Sequence, residues 1–386
     1  MNTDFYAIED LLSDDQVLIQ KSTADFIQKN VKPIIEDYAQ RAAFPQQLVG
    51  LFGEMGLFGP AIPTEYGGGG MDYISYGLIM QEVEKGDSGL RSMASVQSSL
   101  VMFPINEFGS EAQKKKFLPK LATGEYLGCF GLTEPNHGSN PSGMETTLKK
   151  EGDHYVLNGA KMWITNSPIA DIAVVWAKNE KGRVKGVIVE KGMNGFTAPE
   201  IHNKWSLRAS ITGELVFDNV IIPEENILPL KDGLGAPLKC LDNARYGIAW
   251  GAIGAAIDCY ETAKNYSLER IQFDQPIGGF QLTQKKLSEM LTEITKAQLL
   301  ALRLGQLKNA GKATTAQISM AKRNNVEMAL KIAREARQIL GGMGITGDYP
   351  IMRHMMNLES VITYEGTHDI HLLILGAEIT GIPSFK

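Results

Sequence analysis

At 386 residues, 44% of them hydrophobic, the chain carries enough apolar material for two or three domains with sizeable cores and needs no covalent staples. A net charge of −6, with acidic and basic residues interspersed, gives no electrostatic footprint for nucleic acid or an anionic membrane. The three cysteines, Cys129, Cys240 and Cys259, are far apart and lack CxxC or Cys/His ligand spacing, which argues against a disulfide framework or a metal site and favours a reducing cytoplasm.

The opening stretch, residues 1–10, is acidic and has neither a basic start with an apolar core nor an Arg-rich amphipathic pattern, so no signal or transit peptide is expected in it. No apolar run approaches the roughly 20 residues a membrane-spanning helix needs. From Ser13 to about Ala122 helical spacing dominates, with Val17, Ile19, Phe26, Ile27, Val31 and Ile35 falling roughly on one face. Glycine and proline interrupt it between Met55 and Gly70, and the four glycines at 67–70 read as a flexible connection because they lack a phosphate-loop order. After a helix over 73–85 comes a polar, small-residue stretch enclosing Arg91. Taken alone, it leaves open a carboxylate-binding fork or a surface arginine paired with Glu84 or Asp87.

Near Tyr126 the period changes. Short β-branched or aromatic runs at 126–132, 155–157, 161–164, 172–177, 184–189 and 214–220 predict a compact β-domain, with turns at Asn158-Gly159 and at 179–182. The loop Gly131-Leu-Thr-Glu-Pro-Asn-His-Gly-Ser-Asn-Pro-Ser-Gly143 and the segment Trp163-Ile-Thr-Asn-Ser167 combine backbone donors, hydroxyls and a π-face, which suits a ring cofactor and equally suits ordinary turns and a core tryptophan. From about Ala236 helical spacing returns over 241–267, 287–304 and 315–340. With a terminal helix from Asp369 these make four helices, enough for a bundle. That last helix opens from Thr363-Tyr-Glu-Gly-Thr-His-Asp369. There Thr367 or Asp369 can cap the unpaired N–H groups, and Glu365 can either face a substrate or merely complement the helix dipole.

The order of helices, β-domain and helix bundle, with Gly131-Leu-Thr-Glu-Pro135 in the middle and Tyr364-Glu-Gly-Thr367 at the end, resembles the flavin-dependent acyl-CoA dehydrogenases over nearly the whole chain. Arg91-Ser-Met-Ala-Ser-Val-Gln-Ser-Ser-Leu-Val101, Asn243-Ala-Arg-Tyr-Gly-Ile-Ala-Trp250 and Thr363-Tyr-Glu-Gly-Thr-His-Asp-Ile-His371 are most similar to its glutaryl-CoA-oxidising branch. The resemblance implies an α+β multidomain fold: an N-terminal α-helical domain over 1–125, a middle β-barrel or sandwich over 126–235 and a C-terminal four-helix bundle over 236–386.

It further implies that Glu365 is the catalytic base and that Glu84, Arg91, Ser92, Ser139, Asn243, Arg245, Tyr364 and Gly366 contact the acyl-CoA substrate. Phe130, Leu132, Thr133, Ser139, Trp163, Ile164, Thr165, Thr367 and Asp369 match segments that hold FAD. Arg270, Phe273, Gln281, Gln338, Gly341 and Gly342 match positions that reach a neighbouring subunit's cofactor in a homotetramer. His137 departs from the pattern, standing where a smaller residue is expected. The implied chemistry removes a proton at Cα and a hydride at Cβ of glutaryl-CoA, loses CO2 and yields crotonyl-CoA, with electrons passing to electron-transferring flavoprotein. A dehydrogenase that stops before decarboxylation or takes another short acyl-CoA is the near alternative, and a noncatalytic flavin-binding protein on the same fold is the distant one.

Overall fold

The computed structural model describes residues 3–384, so residues 1–2 of the expected N-terminal domain and 385–386 of the expected C-terminal domain lie outside the described residues. The first helices are α1 (Asp14–Phe26), α2 (Lys32–Arg41), α3 (Leu48–Glu54), α4 (Tyr73–Gly86), α5 (Ser88–Ser95), α6 (Phe103–Phe108) and α7 (Glu111–Ala122). The α1 start is set by a reciprocal cap: the Ser13 hydroxyl accepts the Gln16 N–H, and the Gln16 side chain accepts the Ser13 N–H. The glycine run at 67–70 is not a flexible connection. The N–H groups of Gly68, Gly69 and Gly70 donate to the carbonyls of Pro63, Gly59 and Ile62. A Cβ at Gly68 would lie 2.3 Å from the Ile62 oxygen, so these glycines are needed for close backbone approach.

The middle segment forms one curled sheet of β1 (Gly128–Gly131), β2 (Thr147–Glu151), β3 (His154–Thr165), β4 (Ile172–Lys178), β5 (Val184–Glu190), β6 (Phe196–Thr197) and β7 (Thr212–Pro223). Ala173, Val175, Ala177, Val187, Val189, Leu215 and Phe217 fill a core of its own, while Ile172, Val174, Trp176 and Ile188 join Phe130 in the larger core shared with the helices. Burial of both faces explains why β4 reads as an unbroken apolar run. The expected turn at Asn158-Gly159 is instead the middle of β3, where the register against β7 shifts between Leu157 and Gly159. Gly159 takes a φ of +138° there, so the pair marks a bulge and the runs on either side are one strand.

The last segment contains α8 (Gly235–Glu269), a small hairpin of β8 (Ile271–Gln272) and β9 (Gln275–Pro276), then α9 (Gln281–Asn309), α10 (Thr315–Ile339), α11 (Ile351–Val361) and α12 (His368–Thr380). To the four helices expected from spacing, the structure adds α11. Its buried face includes Arg353, His354 and Asn357, so its apolar period is masked by polar residues that find partners inside the protein. Arg353 binds Asp87 at 2.7 Å and Glu36 at 2.9 Å, and Asn357 donates to Asp87 at 2.9 Å while accepting the Leu207 N–H at 2.9 Å. These bonds lock the chain leading to Glu365 onto both preceding domains. Helices α4 and α8 cross at glycines: a Cβ on Gly254 would meet the Gln81 oxygen at 1.9 Å, and one on Gly251 would meet Glu84 Oε2 at 2.1 Å. This close approach seals Glu84 and Arg91 beneath α8.

Candidate functional site

The turn between α11 and α12 carries Glu365 in the left-handed region, φ 52°, followed by Gly366 at φ 99°. A non-glycine residue there costs about 1–2 kcal/mol, so its surroundings must hold it. They do so through the carbonyls: Arg245 Nε donates to the Glu365 oxygen at 2.7 Å, and Lys322 Nζ donates to the oxygens of Tyr364 at 3.0 Å and Gly366 at 2.8 Å. A Cβ on Gly366 would lie 2.9 Å from the His371 ring, so glycine is required for both space and conformation. Thr367 supplies the cap of α12, accepting the Ile370 N–H at 3.2 Å, whereas Asp369 sits exposed in its first turn.

Burial raises the Glu365 carboxyl above the ordinary carboxylate range, and Arg91, Lys322 and Arg245 pull it back. Its Oε2 is buried and has no partner among the described residues. Arg91 is no surface arginine; it is fully buried, its Nε bound to the equally buried Glu84 at 2.6 Å and its Nη2 bound to the Tyr364 hydroxyl. Burial opposes the charge of Arg91, but Glu84, Tyr364 and Glu365 outweigh it, so the guanidinium stays cationic. Burial likewise drives the Tyr364 phenol upward and keeps it protonated. Arg91 Nη1 and Glu84 Oε1 are buried without partners. Nearby, a cleft is lined by Tyr73, Tyr76, Ser99, Phe103 and Asn243, whose amide Nδ2 donates to Ser99 at 3.3 Å while its Oδ1 is unpartnered. Arg245 is also paired with Asp242 at 3.2 Å.

Helix α5 brings the middle segment to the same place, since Ser92, next to Arg91, lies 3.5 Å from the Thr165 hydroxyl at the end of β3. Just before it, Trp163 is 58% exposed with φ 63°, and Ile164 is buried behind it. Phe130 and Leu132 are buried alongside; the Leu132 carbonyl accepts from Lys161 at 3.2 Å and the Thr133 carbonyl from the Met162 N–H at 2.9 Å. Ser139 lies exposed on the loop 135–145. Both ends of that loop are tied to the buried Glu134, which accepts from Thr146 N–H at 3.0 Å, Thr146 Oγ1 at 2.6 Å and Lys161 Nζ at 2.8 Å. Burial pushes Glu134 up, but the Glu145 N–H bonded to it at 2.5 Å, together with Lys161 and Thr146, brings it down to about 2. The bulk of His137 is absorbed where its ring stacks against Gly143, with Nε2 3.1 Å from Glu145.

Arg270, Phe273, Gln281, Gln338, Gly341 and Gly342 are not brought to Glu365. They are exposed on and around the β8–β9 hairpin, the start of α9 and the end of α10, where Phe273 is 88% accessible and Lys286 binds the Gln338 side chain. Spacing had not singled out Lys322 or His371. Lys322 lies on the buried stripe Ile318, Lys322, Asn325, Ala329 of α10, and a lysine on such a stripe was the signal available for it.

The chain matches the family profiles described as acyl-CoA dehydrogenase N-terminal domain over residues 13–125, middle domain over 129–220 and C-terminal domain over 231–380. It is 37% identical over 376 residues to a short-chain-specific acyl-CoA dehydrogenase of Clostridium acetobutylicum, covering 95% of this chain and 98% of that one. A crystal structure of glutaryl-CoA dehydrogenase from Mycobacterium smegmatis is similar at a TM-score of 0.96 with 50% identity, covering 98% of both chains. A second from that organism, in complex with FADH2, has a TM-score of 0.97 and 48% identity over 99% of this chain and 98% of that one. With profiles matched across all three segments and full-length relatives well above 30% identity, the chain belongs to the acyl-CoA dehydrogenase family.

Proposed function

We propose that this protein oxidises glutaryl-CoA and releases its distal carboxylate as CO2, giving crotonyl-CoA, with FAD as cofactor and electron-transferring flavoprotein as the acceptor. Arg91 carries the substrate reading. A guanidinium that is fully buried, held on one side by Glu84 and Tyr364 and left with an unpartnered Nη1, is the receptor a second carboxylate needs. A short acyl chain ending in methyl would leave that donor unsatisfied, at a cost of about 1–3 kcal/mol.

The residues present fit the cofactor. The exposed Trp163 on a left-handed turn, the hydroxyls of Thr133 and Thr165 and the capped start of α12 at Thr367 would hold it, with the buried Phe130, Leu132 and Ile164 as apolar support; Thr165 ties this set to the Arg91 helix through Ser92. The exposed Ser139 and Asp369 would complete the set. FAD bound there supplies the acceptor for the hydride that leaves Cβ.

The work of the chain itself falls to a few groups. Arg91 holds the distal carboxylate, and Asn243, Ser92 and Arg245 line the approach of the thioester. The Glu365 carboxylate takes the Cα proton, its affinity for that proton raised by burial. The Glu365 N–H faces the thioester oxygen as one donor to the developing enolate, with Gly366 giving the turn the room it needs. After oxidation, the C–C bond to the distal carboxylate breaks, its electron pair passing into a conjugated dienolate. Protonated Glu365 then returns its proton to the terminal carbon, restoring the base.

Arg270, Phe273, Gln281, Gln338, Gly341 and Gly342, exposed and remote from Glu365, suit contact with the cofactor of a neighbouring subunit, and a homotetramer would supply it. Three unpaired, buried thiols suit a reducing cytoplasm. Among the described residues no helix is long and apolar enough to cross a membrane. Anaerobic titration with glutaryl-CoA and butyryl-CoA, followed by flavin absorbance and product mass, tests the reading. Crotonyl-CoA and CO2 from glutaryl-CoA are expected; glutaconyl-CoA as end product, or a preference for butyryl-CoA, would favour a non-decarboxylating short-chain enzyme.

A further inference from the structure

We infer that Lys322 is a positioning residue for the candidate base: from α10 it grips the carbonyls on both sides of Glu365 and so holds the left-handed turn that aims the carboxylate. The inference rests on Glu365 being the base.

Lys322 is fully buried, and its Nζ donates to Tyr364 O at 3.0 Å and Gly366 O at 2.8 Å while making no ion pair among the described residues. Arg245 takes the carbonyl between them at 2.7 Å, so three consecutive peptide oxygens are each held by a cationic side chain. A buried amine is costly, and the stripe it occupies, with Ile318, Ala321, Val326 and Ala329 around it, would accept methionine without loss of packing. What methionine cannot do is hold the peptide groups before and after Glu365 in one orientation. The strained φ of 52° at Glu365 would then be free to relax, with the permissive Gly366 beside it, carrying the carboxylate along.

Geometry and charge act together here. The groups coupled electrostatically to Glu365 are Arg91 from α5, Arg245 from α8, Lys322 from α10, Tyr76 from α4 and Tyr364 on its own turn; behind them Glu84 pairs with Arg91, Asp242 with Arg245, and His368 and His371 of α12 lie near Lys322. Burial brings Lys322 down to about 7 against the pull of Glu365, so on the acid side of neutrality it is cationic and favours ionised Glu365. Burial brings His371 down to about 3, so it stays neutral across that range and supplies shape rather than charge.

The test uses the holoenzyme and compares native protein with Lys322→Met, Lys322→Arg and Glu365→Gln for melting temperature, flavin content, KM, kcat and the pH dependence of kcat. Lys322→Met is expected to retain flavin and keep KM within about threefold, while kcat falls about tenfold to a hundredfold through misplacement of the base. The acid limb of its kcat profile should move to higher pH, because one of three cations favouring ionised Glu365 is gone. Lys322→Arg, which keeps charge and donors, should leave that limb in its native position. Native kcat and limb in a folded Lys322→Met overturn the inference, and so does a loss of kcat with an unmoved limb, which would reduce Lys322 to packing. If Lys322→Met does not fold, Lys322→Gln carries the same comparison. Glu365→Gln with native turnover would instead remove the base assignment itself.

Discussion

Replacing Arg91 by glutamine separates substrate recognition from mere stability. Arg91 and Glu84 are both fully buried and 2.6 Å apart, so the substitution leaves a carboxylate without its partner, a loss of about 3–5 kcal/mol in folding stability for a broken buried pair. The effect on catalysis is a different quantity: a buried, charge-assisted bond to the distal carboxylate is lost, worth about 2–4 kcal/mol, or about thirtyfold to a thousandfold in kcat/KM for glutaryl-CoA. Butyryl-CoA has no carboxylate to lose, so general loosening of the site lowers both substrates while loss of recognition lowers one. The assay is therefore the ratio of the two kcat/KM values, measured on protein whose flavin content and melting curve are known. The double variant Arg91→Gln with Glu84→Gln, in which neither charge is stranded, should recover melting temperature without recovering the ratio. A ratio unchanged from native protein would refute the assignment of Arg91 and leave a broader short-chain acyl-CoA dehydrogenase.

Glu365→Gln is expected to keep FAD and lose dehydrogenation, read as failure of glutaryl-CoA to bleach the flavin anaerobically; bleaching at the native rate would move the base elsewhere. In native protein the acid limb of kcat should lie above the ordinary carboxylate range, because burial raises Glu365 and activity needs it ionised. The same shift makes Glu365 oppose folding as pH rises from its unfolded pKa through its raised folded one, so Glu365→Gln should melt at least as high as native protein at neutral pH. Glu134, lowered from 4.5 to about 2 by its bonds to Glu145, Lys161 and Thr146, works in the opposite sense: its stabilisation is present above about 4.5 and lost as pH falls toward 2. Glu134→Gln should release the loop 135–145 and increase proteolytic nicking within it, and unchanged cleavage would show the clasp to be dispensable. Arg270→Ala is expected to weaken FAD retention more than folding, checked by flavin content against assembly state; full occupancy in a monomer would remove the role given to the β8–β9 region.

Local spacing alone determined the helical and strand zones, the start of the first helical zone at Ser13, the bulk of α8, α9 and α10, and a carboxylate at the mouth of α12, because helix-start signals and periodic apolar faces are properties of neighbouring residues. The Tyr364-Glu-Gly-Thr367 motif then singled out Glu365 through family resemblance, a different kind of information. Tertiary structure decided what spacing could not express. Whether Arg91 was a surface arginine or a buried one depended on α8 passing close enough, at Gly251, to cover it. The Asn158-Gly159 pair read as a turn because its φ-permissive residues are the same in a bulge, and only pairing with β7 distinguishes the two. Helix α11 escaped because Arg353 and Asn357 look like surface residues until Asp87, some 270 positions away in sequence, is folded against them. Lys322 shows the limit most plainly: a lysine's partners are carbonyls of a turn more than 40 residues further along, and backbone oxygens carry no sequence signal.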